Sequence, residues 1–90
     1  MRVVTLYGRA ECHLCDEARA ALQRVRSDVP FELRECDIEA DAALLRAYFE
    51  RIPVVTLDGR ELFAYFVDER ALRCALAASP WSGDELESGR

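Results

Sequence analysis

No stretch of this 90-residue chain comes near the ~20 consecutive apolar residues that a bilayer-crossing helix needs, and the N-terminus lacks a signal-peptide hydrophobic region. Neither membrane association nor export is expected, and the cytoplasm is the expected location. Basic residues are outnumbered, 12 Lys and Arg against 17 Asp and Glu, for a net charge of -5. Nucleic acid is therefore not an expected partner, because no basic patch is there to neutralise phosphates. There is a single histidine, and no internal repeat or low-complexity segment is visible. Ninety residues leave room for one modest core and not for two. With 51% hydrophobic and 32% charged residues, the composition is that of an ordinary folded domain rather than a disordered chain.

Cysteine is scarce as well, at four, yet two of the four stand only two residues apart. The stretch Leu6-Tyr7-Gly8-Arg9-Ala10-Glu11-Cys12-His13-Leu14-Cys15 leads an apolar run through a short turn into a helical pattern. A helix N-terminus offers free amide hydrogens and a partial positive charge, which favour the thiolate of a leading cysteine. The second cysteine, one turn further in, is placed to attack a mixed disulfide formed by the first. Structural disulfides seldom persist in a reducing compartment, so the pair reads as catalytic or as half a metal site.

The elements follow from periodicity. Arg2 to Tyr7, almost without a polar face, predicts a central strand buried on both sides. Ala18, Ala21, Leu22 and Val25 recur at helical spacing between His13 and Arg26, and Asp16 and Glu17 suit the first turn. Phe31 to Ile38 alternates in its first half and predicts an edge strand. Asp41 is a candidate N-cap for a helix carrying Ala42, Leu44, Leu45 and Tyr48, which ends before Pro53. Val54 to Leu57, the Asp58-Gly59 turn and Arg60 to Ala64 predict a hairpin. Asp68 caps a last helix with Leu72, Ala75 and Leu76, which Ser79-Pro80 stops. The expected fold is α/β, a four-stranded mixed sheet with helices on both faces. Residues 1–78 form the domain, and residues 79–90 are read as a flexible acidic tail.

That order, with Cys12-His13-Leu14-Cys15 after the first strand and Ile52-Pro53 before the third, resembles the thioredoxin superfamily in its glutaredoxin size. Cys12 to Asp16, the Tyr48 to Val54 stretch and the Asp58-Gly59 hairpin look most like a bacterial family of small glutaredoxin-like proteins. The resemblance implies a three-layer thioredoxin-like fold and a thiol-disulfide oxidoreductase acting in cell redox homeostasis. It implies that Cys12 is the exposed nucleophile and Cys15 the resolving cysteine. Pro53 matches a cis-proline that faces the dithiol, with Ile52 before it, and exposes a backbone edge to which an extended substrate pairs. Arg9 takes the place of a basic residue that helps hold a glutathione carboxylate, and Arg51 is a second candidate for that charge.

Two positions depart from glutaredoxins. Arg51-Ile52 stands where Thr-Val is usual before the proline. Ala64-Tyr65-Phe66 stands where Gly-Gly lets backbone amides approach glutathione, and these side chains crowd that approach. The expectation is dithiol exchange without a dedicated glutathione site, glutathione being at most a co-substrate. Neither metal nor organic cofactor is expected, and the protein is expected to be a monomer.

Each feature has an ordinary reading beside the functional one. Zinc needs two further ligands, and only His13, Cys36 and Cys74 offer nitrogen or sulfur, from positions whose spacing fits poorly. His13 either tunes Cys12 and contacts substrate or is an exposed helix-start residue. Asp16 and Glu17 are read as first-turn acids, and Arg9 and Arg51 are equally readable as surface charges. Cys36 and Cys74 are expected to be buried small hydrophobes. Tyr65 and Phe66 form either an apolar lip over the dithiol that contacts substrate or, the stronger expectation, part of the core. The alternative to an enzyme is a non-catalytic thioredoxin-fold module that binds a protein partner through the Pro53 edge and Tyr65-Phe66.

Overall fold

Alternation decides how the first strand faces. Val4, Leu6 and Gly8 of β1 (Val3–Gly8) point to one side and are buried, while Val3, Thr5 and Tyr7 point to the other and are half-buried. The computed structural model describes residues 1–78; the expected acidic tail lies outside the described residues. After β1 come α1 (His13–Arg26), β2 (Glu32–Asp37), a 3₁₀ turn (Ile38–Ala40), α2 (Ala42–Tyr48), β3 (Val54–Leu57), β4 (Arg60–Ala64) and α3 (Glu69–Ala77). The sheet order is β2-β1-β3-β4, with β1 parallel to β2 and antiparallel to β3, and β3 antiparallel to β4. This is the four-stranded mixed sheet expected from the sequence, with β2 at an edge. The 3₁₀ turn was not expected.

The main core lies between the sheet and two helices. α1 buries Cys15, Ala18, Ala21, Leu22 and Val25, one stripe of its surface, against Val4 and Leu6. α3 adds Leu72 and Leu76, and Phe31, Val55 and Leu57 close the cluster. Each fully buried Leu, Val or Phe side chain contributes of order 1.5–3 kcal/mol over its exposed state. Arg24 of α1 meets Glu69 of α3 at 2.6 Å on the outside, a surface pair of little weight.

The opposite face is thinly covered, which corrects the expectation that β1 is buried on both sides. α2 supplies the Tyr48 ring, 4.8 Å from that of Tyr7 and tilted by 34°, but none of its residues is buried. Seven helical residues span about 10 Å, roughly half the length of a six-residue strand. The strand sealed on both sides is β3, whose four residues are all buried.

Helix starts follow short-range chemistry. Asp41 Oδ1 accepts from the amides of Ala43 and Leu44, and Asp68 Oδ1 from that of Ala71. The unexpected 3₁₀ turn begins the same way, with Asp37 accepting from Glu39 N–H. The hairpin turn places Asp58 at φ 51° and Gly59 at φ 88°, the left-handed pair that a two-residue turn demands.

Asp58 also clamps the start of the sheet. Its amide donates to Val3 O (2.8 Å), its Oδ1 accepts from Val3 N–H (2.9 Å), and its Oδ2 accepts from Arg2 Nε (2.5 Å). The Arg2 guanidinium reaches on to the carbonyl of Ala78 at 2.7 Å, and to those of Ala75 and Leu76 at 3.4 Å, at the end of α3. The Val3 amide, followed by the Arg2 side chain, holds the Asp58 carboxyl below its ordinary value.

A depressed carboxylate stabilises the fold above its unfolded pKa, and that stability is lost as pH falls through the folded value. Asp58→Asn keeps a carbonyl acceptor and removes only the charge. It is expected to lose up to about 1 kcal/mol at about pH 7 in urea unfolding, the scale of a half-exposed pair. The gap to wild type is expected to narrow as pH falls below the unfolded carboxyl value of about 3.9 and through the lower folded one; a gap that does not change with pH would show that the charge is irrelevant.

Candidate active site

Strand register gathers the relevant segments at one end of the sheet. Gly8 pairs with Asp37, so the turn after β1 lies beside the 3₁₀ turn after β2. Tyr7 pairs with Val54, which brings Pro53 to the same end, and Val54 pairs with Ala64, which brings Tyr65 there too. The sequence-predicted Arg9, Cys12, His13, Cys15, Arg51, Ile52, Pro53 and Tyr65 all belong to these segments.

Cys12 is the N-cap of α1. Its backbone is extended, at φ -113° and ψ 110°, and its Sγ accepts from the Cys15 amide at 3.2 Å. A sulfur stands where Ser, Thr or Asp usually caps a helix, so the first turn's electropositive amides converge on it. The amides of His13 and Leu14 have no acceptor within the helix by its geometry. Cys12 and Cys15 are joined as a disulfide, with Cα atoms 5.2 Å apart. Their exposure differs sharply: Cys15 is 1% exposed, whereas Cys12 is half-buried. Only the leading sulfur is open to an incoming partner.

Close behind the pair lies Gly8, whose role sequence reasoning missed. A Cβ built on Gly8 would stand 2.8 Å from Cys15 Sγ and 3.2 Å from Cys15 Cβ. The contact needs a bare α-carbon. The available signal was a glycine at the last position of a strand before Cys-x-x-Cys. A cavity of about 220 Å³ lies on this side of the turn, lined among others by Gly8, Arg9, Cys15, Arg19, Glu35 and Asp37.

The Ile52–Pro53 bond is cis and Pro53 is buried. Pro53 O accepts from Tyr65 N–H at 2.8 Å, and the Tyr65 hydroxyl donates to Glu50 O at 3.0 Å. Tyr65 thus straps the corner after β4 to the loop before β3, in spite of a left-handed φ of 76°. Such a backbone costs a residue with a Cβ roughly 1 kcal/mol or more. Glu11, in the turn before Cys12, has φ 57°. Two of the three non-glycine residues with positive φ among the described residues therefore flank the dithiol.

Tyr65 and Phe66 are 52% and 68% exposed, which corrects the expectation that they belong to the core. The bulge between Val55 and Thr56, where β3 pairs with β4, and the Tyr65 backbone turn the chain outward before α3 begins. Leu14 is also exposed, and it shares a groove with Tyr65 and Phe66.

The charged residues are engaged with one another. Arg9 Nη1 lies 3.9 Å from Glu39, and Arg51 pairs closely with Glu61 while its guanidinium sits 5.9 Å from the centre of the Tyr48 ring. His13 Nε2 meets Glu17 at 2.8 Å, one helical turn away and exposed. Asp16 meets Arg19, whose guanidinium Glu35 and then Asp16 hold more firmly charged than usual. Burial, and then Tyr48 and Cys36, raise the pKa of the Tyr7 phenol, which keeps it neutral.

Cys36 is half-buried and Cys74 exposed, so burial was the wrong expectation for both. Leu72 and Leu76 turn α3 toward the core, and Cys74, two residues from each, falls on the other side. Among the described residues no group of three or more His, Cys, Asp or Glu side chains could hold a metal ion. Nor is any helix there long and apolar enough to cross a membrane.

Known proteins are similar to this chain in sequence and in fold. The family model Glutaredoxin-like domain (DUF836) matches residues 3–77. An uncharacterized protein of Mycobacterium tuberculosis is 38% identical over 81 residues, covering 84% of each chain. An NMR structure of a Nitrosomonas europaea protein superposes with a TM-score of 0.76 at 35% identity, over 84% of this chain and 92% of that one. A crystal structure of an X. campestris protein gives 0.70 at 42% identity, over 86% and 99%. A thioredoxin from Halobacterium salinarum, 21% identical, gives 0.61 over 83% and 71%, a likeness of fold alone. The fold is thioredoxin-like, and its Cys12–Cys15 pair supports a redox-type role.

Gly8→Ala is expected to push Cys15 and the start of α1 off β1, at a cost of about 1–3 kcal/mol, as overpacking does. Denaturant unfolding measures the loss, and titration with dithiothreitol measures the accompanying shift in the dithiol-disulfide equilibrium. Unchanged values for both would show that the close approach of Gly8 to Cys15 is not needed.

Proposed function

The chain belongs to the glutaredoxin-like domain family (DUF836), and from that premise we propose that it is a thiol-disulfide oxidoreductase working by dithiol exchange. One observation carries the reading: the half-buried Cys12 caps a helix N-terminus with its sulfur, and a second cysteine, sealed from solvent, lies one turn behind it.

In the reduced protein the Cys12 thiolate attacks one sulfur of a client disulfide. The Cys12–client bond forms, the client bond breaks, and the leaving client thiolate takes up a proton. Cys15 then loses its proton and attacks Cys12 Sγ. This closes the Cys12–Cys15 disulfide and releases the second client thiol. Two electrons pass from the protein to the client. A thiol reductant returns the protein to its dithiol form, and run in reverse the same steps oxidise a dithiol. Neither metal nor organic cofactor enters, and a monomer suffices.

The roles proposed for the surrounding residues follow from their places. Ile52, held in place by the cis Pro53, offers a backbone edge to the client, and Tyr65, bonded to Pro53 O, braces that edge. Arg9, His13 and Arg51 border it and meet the client's polar groups. A reducing compartment such as the cytoplasm would keep the cycle running.

Alkylation of the reduced protein is expected to be half-maximal below the ordinary thiol value of about 8.5. Incubated with a disulfide client, Cys15→Ser is expected to accumulate a mixed disulfide on Cys12, visible by mass spectrometry, and Cys12→Ser to form none. An ordinary Cys12 that never closes the intramolecular disulfide would refute catalysis and leave the protein-binding module.

A further inference from the structure

A groove of about 160 Å³ opens beside the dithiol, between α1 and the corner from β4 to α3. Leu14, Ala18 and Ala21 form one wall, and Tyr65, Phe66 and Val67 the other. The wall at the corner is already fixed in place, because Tyr65 is tied at its amide to Pro53 O and at its hydroxyl to Glu50 O. Leu14 sits between the two cysteines in sequence, so one end of the groove reaches the first turn of α1, which carries the dithiol.

Resting on the dithiol-exchange reading above, we propose that this groove takes one apolar side chain of a polypeptide client. Leu14 and Phe66, with Tyr65 holding the wall, then select extended protein disulfides over small anionic ones such as glutathione disulfide. Three observations favour that occupant. The first is size: ligand sites usually enclose ~300–1,000 Å³, whereas a space of this volume takes a single benzene-sized group. A single apolar side chain fills such a space. The second is polarity, since Leu14, Tyr65 and Phe66 are 46%, 52% and 68% exposed on one border of the dithiol. The third is charge. The groove is bordered by Glu17 and Glu69, with Arg24 already bound to Glu69. The two arginines placed to receive a carboxylate, Arg9 and Arg51, already face Glu39 and Glu61. With a net charge of -5 on the chain, a neutral or cationic segment is favoured over an anionic tripeptide.

The test uses the full chain, reduced beforehand and freed of reductant, in single turnovers. Formation of the Cys12–Cys15 disulfide is followed by acid quench and mass spectrometry. The probes are two uncharged, capped peptides with an internal disulfide, one with leucine and the other with serine beside the first cysteine, and glutathione disulfide. The leucine peptide is expected to react about tenfold faster than the serine peptide or more, the worth of one apolar side chain in a pocket, and glutathione disulfide no faster than the serine peptide. Leu14→Ser and Phe66→Ser each alter an exposed position and are expected to bring the leucine preference to within about threefold. Equal peptide rates in the wild type, a preference that survives both substitutions, or glutathione disulfide as the fastest probe would overturn the groove's role while dithiol exchange stands. If no probe oxidises the reduced protein, dithiol exchange itself fails and the selection with it.

Discussion

How near a helix can come to the strand beneath it depends on the smallest side chain between them, and here that is the bare α-carbon of Gly8. Its closeness to Cys15 lets α1 settle on the end of β1 with the second sulfur sealed. Once that sulfur is fixed, helical geometry puts the first sulfur at the N-cap, on a residue that keeps part of its surface exposed. The unequal exposure of two chemically identical groups thus comes from packing rather than from any charged neighbour. His13, Asp16 and Glu17 satisfy one another or Arg19. The dithiol is left to the helix amides and to its apolar border.

The two ends of the sheet are built differently. At one, Arg2 and Asp58 tie three segments together with well-paired polar groups and an Asp-Gly turn suited to its backbone. At the other, Glu11 and Tyr65 occupy backbone conformations that side chains disfavour. Strain of this kind persists only where the surroundings impose it, and for Tyr65 the surroundings are two hydrogen bonds to the segment carrying Pro53. The end with the strained residues is the end with the cysteines.

Sequence periodicity was a good guide where one physical effect dominated. Ala18, Leu22 and Val25 drew α1, Asp41 and Asp68 drew the helix starts, and Asp58-Gly59 drew the hairpin, because each of those effects is local. Cys-x-x-Cys at a strand-to-helix junction was legible for the same reason. Where two apolar fates competed, sequence was a poor guide. Tyr65 and Phe66 read as core by composition, and their exposure goes with a bulge in β4, where Leu62 has no partner, and a left-handed residue that no local pattern announces. Cys74 was misplaced because a lone small residue does not fix the phase of a helix; Leu72 and Leu76 do. The cis bond at Ile52–Pro53 was readable only through family resemblance.

The clamp at Arg2 also carries information about time. Its partners lie 56 residues away at Asp58 and 76 away at Ala78. A ribosome making the chain from its N-terminus must release the hairpin and then the whole of α3 before this guanidinium has all its acceptors. Until then β1 and its Cys-x-x-Cys turn are already out, with Asp58 alone to hold the far end of the strand once the hairpin is made. Among the described residues, the fold is completed at the end of the sheet away from the cysteines.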